Sequence, residues 1–195
     1  LPRNIARLAV GQVYYTGWCD DEGKLLDDGT VTRLGEHSFR LTSAEPTLRW
    51  LHMNAVGMDV AIEDTSDSVA TLALQGPLAR TIHAQVAATD MAKLKYFRLT
   101  HTTIREIPVT ISRTGYTGDL GYEIWMPWDL ALRVWDALVD GGRAYDVHPA
   151  GMLALDVARV EAGLLLIEVD FFSSKKAVIA TQKYTPYEMG LHRLV

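Results

Sequence analysis

The sequence predicts an α+β fold in which an antiparallel sheet carries helices on one face. Short segments rich in β-branched and aromatic residues follow one another with turn residues between them, as strands do. Segments with helical spacing of apolar residues interrupt the series, so the central order is strand, strand, helix, strand, strand, strand, helix. No short period recurs along the chain, which argues against a solenoid.

In the first third of the chain, the residue pattern predicts a hairpin, a third strand and a short helix. The turn Asp20 to Gly23 joins the first two strands. Glu45-Pro46 begins the helix, because proline is tolerated in a first helical turn. The expected strands cover residues 10–16, 24–33 and 38–42, and the expected helix covers 47–54.

The middle of the chain predicts a larger sheet with two helices. Gly76-Pro77 opens the first helix over residues 78–86, whose apolar side chains share one face. Asp129 caps the second helix, and Gly141-Gly142 ends it. The expected strands cover residues 59–63, 68–74, 97–102, 104–112 and 122–126.

The end of the chain predicts one more helix and a loop. Apolar residues from Pro149 to Leu166 follow helical spacing. The segment 171–185 has mixed character and is expected to be a loop with Lys175 and Lys176 exposed. The chain begins without methionine and ends abruptly at Val195, so we expect it to be a fragment of a longer protein.

Composition and charge exclude several classes of function. The 195 residues suffice for one large domain or two small interlocked ones, and 48% of them are hydrophobic. A net charge of −5 argues against a nucleic-acid partner, which needs a basic face. No apolar run approaches the roughly 18–20 residues that span a bilayer, so no membrane partner is expected.

Cysteine and histidine usage argues against disulfide and metal chemistry. The single cysteine, Cys19, cannot form an internal disulfide, which predicts a reducing cytoplasmic location. We interpret Cys19 as a small buried or turn-edge residue and not as a nucleophile. The six histidines lack ligand spacing and no Cys/His cluster exists, so no metal is expected.

A glycine-rich run at residues 112–123 reads S-R-T-G-Y-T-G-D-L-G-Y-E. Its glycines are three apart, no lysine follows and the next segment is a strand, which excludes a phosphate-binding loop. Turn chemistry favours a hairpin whose glycines supply positive φ angles. A plain hairpin does not explain why Arg113, Tyr116, Asp119 and Glu123 crowd its tip.

This run resembles the signature of the glycine-cleavage T-protein (aminomethyltransferase) family, whose members use tetrahydrofolate. Four further stretches are similar to family motifs and occur in the family's order. They are Tyr15-Thr16 with Gly23 to Asp28, L-A-L-Q-G-P at 72–77, A-L-D-V-A-R-V-E-A-G-L at 154–164 and T-P-Y-E-M-G-L at 185–191. Together the five stretches cover nearly the whole chain.

The resemblance implies two interleaved folate-binding subdomains of ferredoxin-like α+β type, followed in the family by a small β-barrel. Residues 1–46 would belong to the first subdomain and 47–142 to the second. Residues 143–195 would complete the first subdomain and start a linker. The opening strands and helix of the first subdomain, and the barrel, are expected to be missing.

The resemblance also implies a folate site. Glu123 would accept two parallel hydrogen bonds from the aminopyrimidinone edge of the pterin, and the glycines would let the backbone approach that ring. Tyr15 and Tyr116 would pack their aromatic faces on the folate. Asp28, the second of the paired aspartates and thirteen residues after Tyr15, would be the catalytic carboxylate. The alternatives are an ordinary D-G turn at Asp28 and an exposed strand-end glutamate at Glu123.

Two departures from the family pattern bear on substrate choice. Leu155 stands where the family has a first arginine, and Arg159, matching the second, either binds folate or pairs with Asp156 or Glu161. The loop 171–184 is longer than the family's, and insertions beside a site often change its substrate.

The favoured function is aminomethyl transfer to tetrahydrofolate, with a lipoyl carrier protein as a candidate donor. Three alternatives stay open. They are a folate-dependent O- or S-demethylase, a non-catalytic folate-binding module, and a folate domain of a larger amine dehydrogenase. The retained Asp28 counts against the non-catalytic alternative.

Overall fold

The computed structural model describes residues 1–194 and confirms the predicted α+β class, with two antiparallel sheets and their helices. The chain forms two compact units. Unit 1 combines Leu1–Asp64 with Leu165–Val195, and unit 2 is the continuous stretch Thr65–Leu164. The units are defined by compactness alone, so the subdomain limits expected after residues 46 and 142 stay a prediction.

Unit 1 contains a three-stranded antiparallel sheet in chain order. Its strands are β1 (Val13–Cys19), β2 (Leu25–Arg33) and β3 (Phe39–Ser43), and α1 (Leu48–Asn54) follows them. The strand predicted over 59–63 is wrong, because these residues have no regular structure. Their alternating pattern finds no neighbouring strand, and Val60 is exposed.

The segment after Leu165 is fixed onto the start of β2. Phe171 and Ile167 pack against Leu25 in a small buried cluster. The Leu25 N–H donates to the Tyr184 carbonyl at 2.7 Å, and the Ser174 N–H donates to the Leu25 carbonyl at 2.8 Å. The predicted loop therefore has little regular structure but is tied to the sheet through backbone hydrogen bonds.

Unit 2 contains a four-stranded antiparallel sheet and three helices. The strands are β4 (Val69–Gln75), β5 (Leu99–Ile104), β6 (Ile107–Ser112) and β7 (Gly121–Pro127), in the spatial order β4-β7-β6-β5. The helices are α2 (Ala79–Val86), α3 (Ala131–Gly142) and α4 (Met152–Glu161). Ile111 and Ile124 from the sheet pack with Ile82 and Val134 from α2 and α3, so these helices cover one face.

Two helix ends differ from the sequence-based expectation. A 3-10 turn at Trp128–Leu130 precedes α3, and the helix takes Leu130 as its N-cap in place of Asp129. α4 is shorter than the predicted 149–166, because Gly163 adopts a left-handed φ of 71° just after it.

Across residues 1–194, no helix combines the length and the apolar character that a bilayer span requires. The same part of the chain holds no group of three or more His, Cys, Asp or Glu side chains arranged for a metal ion.

Candidate functional site

The glycine-rich run forms the tip of the hairpin that joins β6 to β7. Ser112, the last residue of β6, pairs with Glu123 of β7, and the residues between Ser112 and Gly121 make the turn. The predicted hairpin is therefore confirmed, but of the three glycines in the run only Gly118 has a positive φ, 74°. The hairpin places Glu123 near the tip of a central strand of the sheet.

Glu123 lies on the sheet face opposite α2 and α3. Along β7 the side chains of Tyr122 and Ile124 point into the core, where both are fully buried. Because side chains alternate along a strand, Glu123 and Trp125 point the other way. The glutamate is half-buried on a face that the two core helices leave uncovered.

The Glu123 carboxylate is held by a hydrogen bond from Thr114. The Thr114 hydroxyl, which is buried, donates to Glu123 Oε2. Burial raises the pKa of the Glu123 carboxyl, and the Thr114 hydrogen bond acts against this rise. The hydrogen bond from Thr114 engages Oε2 of this carboxylate.

Gln75 explains two glycines of the signature. Its amide Nε2 donates to the Tyr122 carbonyl at 3.2 Å, which places the side chain across the hairpin. A Cβ added at Gly115 or Gly121 would come within 2.0 or 1.7 Å of Gln75 Oε1. These glycines thus admit the Gln75 amide, a different reason from the pterin approach that the resemblance implies.

Tyr116 and Arg159 occupy different elements of unit 2. Tyr116 is half-buried in the hairpin turn. Arg159 is buried in α4, where its Nε donates to Asp156 Oδ1 at 2.7 Å and its Nη1 donates to the Leu164 carbonyl at 3.2 Å. Of the two ion pairs considered from sequence, the structure shows the one with Asp156. Leu155, in place of the family arginine, lies one turn earlier and is half-buried.

Unit 1 brings Tyr15 and Asp28 together. The Tyr15 hydroxyl donates to Asp28 Oδ2 at 2.7 Å across the β1–β2 hairpin. The register pairs Gly17 with Asp28 and Tyr15 with Thr30, so Tyr15 reaches Asp28 as its diagonal neighbour on one face. Burial raises the pKa of the Asp28 carboxyl, and the Tyr15 hydrogen bond opposes this effect. Asp28 is therefore part of a strand and not of a D-G turn.

The structure shows that Asp27 is buried, which the sequence did not reveal. It pairs in register with Trp18 and accepts the Asp28 N–H at Oδ1 over 2.8 Å. Burial raises its pKa to about 6. Because consecutive side chains point to opposite faces, the paired aspartates have separate environments.

Sequence reasoning missed that Thr114, Ser112 and Gln75 contact the candidate site residues or the hairpin that carries them. Gln75 was available in the L-A-L-Q-G-P motif, but nothing in sequence linked it to a hairpin so much later in the chain. Ser112 and Thr114 stand two residues apart at the start of the glycine run, a spacing that places them on one face of an extended chain.

Comparisons with known proteins agree with the sequence motifs. The family model described as GCVT N-terminal domain matches residues 1–195. An aminomethyltransferase of Halothermothrix orenii is 38% identical over 167 residues, which cover 84% of this chain and 46% of that protein. A trimethylamine-oxide aldolase of Ruegeria pomeroyi is 36% identical over 200 residues, which cover 97% of this chain and 24% of that protein.

A solved structure shows the same fold. The crystal structure of glycine cleavage system aminomethyltransferase T from Bartonella henselae matches with a TM-score of 0.81 at 29% identity. The match covers 100% of this chain and 50% of that one. The chain thus spans about half the length of that protein, and about half or less of the two relatives above.

Proposed function

The chain belongs to the GCVT N-terminal domain family, and we propose that it is the folate-binding part of a tetrahydrofolate-dependent aminomethyltransferase. The proposed reaction moves an aminomethyl-derived carbon to tetrahydrofolate and releases ammonia. The family match and the named relatives support this class of reaction, whereas the donor and the partner are part of the proposal.

The observation that carries the proposal is the half-buried carboxylate of Glu123 at the tip of the signature hairpin. The pterin edge of folate presents a ring N–H beside an amine, two parallel donors that a carboxylate accepts together. Thr114 occupies part of Oε2 and leaves Oε1 and a further lone pair for such an edge. The residues present therefore fit the ligand that the family uses.

Asp28 is the proposed catalytic carboxylate. Bound tetrahydrofolate supplies a nucleophilic nitrogen that accepts the one-carbon unit. The Tyr15 hydroxyl donates to Asp28 Oδ2 at 2.7 Å and so restricts the orientation of this carboxylate, which supports the proposed role. A carboxylate fixed in this way stabilises positive charge that develops on the nitrogen and accepts the proton that the nitrogen sheds.

Tyr116 and Arg159 are the further proposed folate contacts of unit 2. The phenol ring of Tyr116 offers a flat face for stacking on the folate. Arg159 is anchored by Asp156 and the Leu164 carbonyl, which together orient its guanidinium. The proposed donor is an aminomethyl group on a lipoyl carrier protein. The proposed reaction uses neither a metal nor a nucleic acid, and the proposed location of the protein is the cytoplasm.

A folate-dependent demethylase is the second candidate, favoured by two observations. The match to the trimethylamine-oxide aldolase covers nearly the whole of this chain but only 24% of that protein. A domain of this kind therefore occurs within a longer protein of another activity. The segment 171–184, which the resemblance implies is longer than the family's, is tied by backbone hydrogen bonds to Leu25 of β2, two residues before the aspartate pair. A methylated amine, ether or thioether would then be the carbon donor.

Ligand titration tests the site. We expect Glu123→Gln to weaken binding of 5-formyltetrahydrofolate by about 10- to 100-fold, since a hydrogen bond to a charged group is lost. Asp28→Asn should bind almost normally but lower kcat by about 100-fold or more. Glu161→Gln and Asp21→Asn are matched controls, because both side chains are exposed.

Product assays distinguish the two candidate functions. The full-length protein is incubated with tetrahydrofolate and an aminomethyl-loaded lipoyl carrier, and ammonia and methylenetetrahydrofolate are measured. Ammonia release supports the aminomethyltransferase. Its absence, together with turnover of methylated amine, methoxy or methylthio donors, would reject it in favour of the demethylase. Wild-type affinity in Glu123→Gln would reject the pterin contact in either case.

A further inference from the structure

Four side chains at the junction of β6 and β7 form a hydrogen-bond relay that ends on Glu123. The Trp125 indole Nε1 donates to Ser112 Oγ at 3.3 Å. Ser112 Oγ and Thr114 Oγ1 lie 2.7 Å apart, and Thr114 Oγ1 donates to Glu123 Oε2. All four residues belong to unit 2, and both hydroxyl residues are buried, with 4% and 5% of their surfaces exposed.

The protons of this relay can point in one order. An indole N–H only donates and an ionised carboxylate only accepts. Thr114 has a single hydroxyl proton and gives it to Glu123, so between the two hydroxyls Ser112 is the donor. The Thr114 oxygen, at 2.7 Å, is a nearer acceptor for the Ser112 proton than the Glu123 carbonyl at 3.5 Å. Ser112 in turn accepts from Trp125. Each link therefore directs a donor toward the carboxylate, and linked hydrogen bonds polarise one another in a water-poor setting.

We propose that Thr114, Ser112 and Trp125 are positioning residues that hold Glu123 as an ionised, pre-oriented acceptor for a ligand with two parallel N–H donors. The inference rests on the proposed function, in which Glu123 receives the pterin edge.

Burial and rotamer freedom explain why Glu123 needs this support. A half-buried carboxylate is driven toward its protonated form, which would offer a donor where the pterin also offers donors. Its last torsion is broad, so an unsupported carboxylate would lose orientational freedom on binding. The buried Thr114 hydroxyl counters both effects, because it stabilises the charge and fixes Oε2.

The alternation of β6 and β7 builds the relay. Ser112 pairs with Glu123 and Thr110 with Trp125, so the two β7 side chains flank Ser112 on one face. Thr114 stands two residues beyond Ser112, just past the end of the strand, and reaches Glu123 from the tip. Thr110 itself bonds to His101 and lies outside the relay, which makes it a control position.

Binding measurements on the full-length protein test the proposal. Thr114→Val keeps the shape and removes the hydroxyl, and we expect it to weaken 5-formyltetrahydrofolate binding by about 10- to 100-fold. Thr114→Ser keeps the hydroxyl and should restore affinity to within about threefold of the wild type. Trp125→Phe removes the first donor, and we expect a loss of about two- to fivefold. Thr110→Val should bind as wild type.

A fragment of the ligand separates positioning from general damage. p-Aminobenzoylglutamate lacks the pterin, so its affinity should be unchanged in Thr114→Val, whereas a misfolded variant would bind neither molecule. Urea unfolding of each variant shows which ones are folded. If Thr114→Val does not fold, Ser112→Ala and Trp125→Phe give the same comparison.

The inference and the proposed function fail in different ways. If Glu123→Gln weakens folate binding while folded Thr114→Val binds as tightly as wild type, the relay has no positioning role and the pterin contact stands. If Glu123→Gln also binds as wild type, the pterin contact itself is wrong. When both hold, Thr114→Val should add little to Glu123→Gln, because the two act on one interaction.

Discussion

Two consecutive aspartates illustrate how position on a strand decides the chemistry of a side chain. Asp27 and Asp28 have the same carboxyl group and differ by one residue, yet they point to opposite faces of β2. Asp27 is buried and accepts the Asp28 N–H at Oδ1. Asp28 accepts the Tyr15 hydroxyl at Oδ2 on the other face of the strand.

Tyr15→Phe should shift the pH dependence of the proposed reaction. Burial already raises the pKa of Asp28, and the Tyr15 hydroxyl opposes that rise. Without the hydroxyl the pKa rises further, so the acidic limb of the kcat/KM profile should move to higher pH. Tyr14→Phe is the matched control, because Tyr14 contacts Arg3 and not Asp28. An unmoved acidic limb in Tyr15→Phe would contradict a catalytic Asp28.

His83 is another residue whose surroundings set its behaviour. It lies fully buried in α2, with its ring edge-on to Tyr122 at a centroid distance of 4.8 Å. Burial lowers its pKa from 6.5 to about 4. The unfolded chain therefore binds a proton on this histidine between pH 6.5 and about 4, where the folded chain does not.

Acidification should destabilise the chain through His83. The free energy of unfolding of the wild type, relative to His83→Phe, should fall by about 2 kcal/mol between roughly pH 7.5 and pH 5. Asp27, whose pKa is raised to about 6, acts in the opposite direction over the same window, but it is common to both proteins and cancels in the difference. Urea unfolding at each pH gives the measurement, with the exposed His101→Gln as control. A pH-independent difference would refute the assignment.

At the scale of elements, the signature hairpin depends on a side chain from another strand. Gln75 of β4 occupies the space that the missing Cβ atoms of Gly115 and Gly121 leave. Its amide also bonds the carbonyls of Thr114 and Tyr122, one on each arm of the hairpin. Gln75 thus fixes the turn that carries Thr114 and sets the start of β7.

Gly121→Ala should destabilise the chain by about 2–4 kcal/mol, because the new methyl displaces Gln75 and leaves its partners unsatisfied. Urea unfolding measures the loss. The double variant Gly121→Ala/Gln75→Ala should lose less than the sum of the two single changes, since the shortened side chain at position 75 leaves room for the methyl. Gly151→Ala is the control, because nothing lies within 4 Å of its added Cβ. Additive losses would show that Gln75 is not what the glycines accommodate.

At the scale of the whole molecule, the two units differ in how the chain completes them. Unit 2 is continuous from Thr65 to Leu164 and has its own core of sixteen buried residues. Unit 1 needs two separated stretches. The cluster around Leu25 uses Ile167 and Phe171 from the second stretch, and the backbone of Leu25 bonds to Tyr184 and Ser174.

This difference predicts that residues 65–164 fold when expressed alone, whereas residues 1–64 do not. The continuous unit retains every strand of its sheet and its own core. The shorter piece loses the apolar cover of Leu25 and two backbone partners. Near-ultraviolet circular dichroism and cooperative urea unfolding provide the measurement. Cooperative unfolding of 1–64, or a lack of cooperative unfolding in 65–164, would contradict this prediction.

The sequence by itself determined the family, the α+β class and most helices and strands. Motifs and periodicity are local properties of the chain, so they can be recognised without coordinates. The strands of the signature hairpin followed from the residue pattern along the chain, whereas the hydrogen bond from Tyr15 to Asp28 was not predicted. The same local signal failed at 59–63, where an alternating pattern has no strand to pair with. Periodicity reports a preference, and pairing decides whether it is realised.

Only the tertiary structure decided what each site residue contacts. Gln75 meets Gly121 across a long stretch of sequence, and the Thr114 hydroxyl meets Glu123 because the hairpin folds back on itself. The split of Asp27 from Asp28 required knowing which face of β2 is covered. Burial and hydrogen-bond partners arise from segments distant in the chain, so no local pattern encodes them. These contacts turn a recognised glutamate into an oriented acceptor.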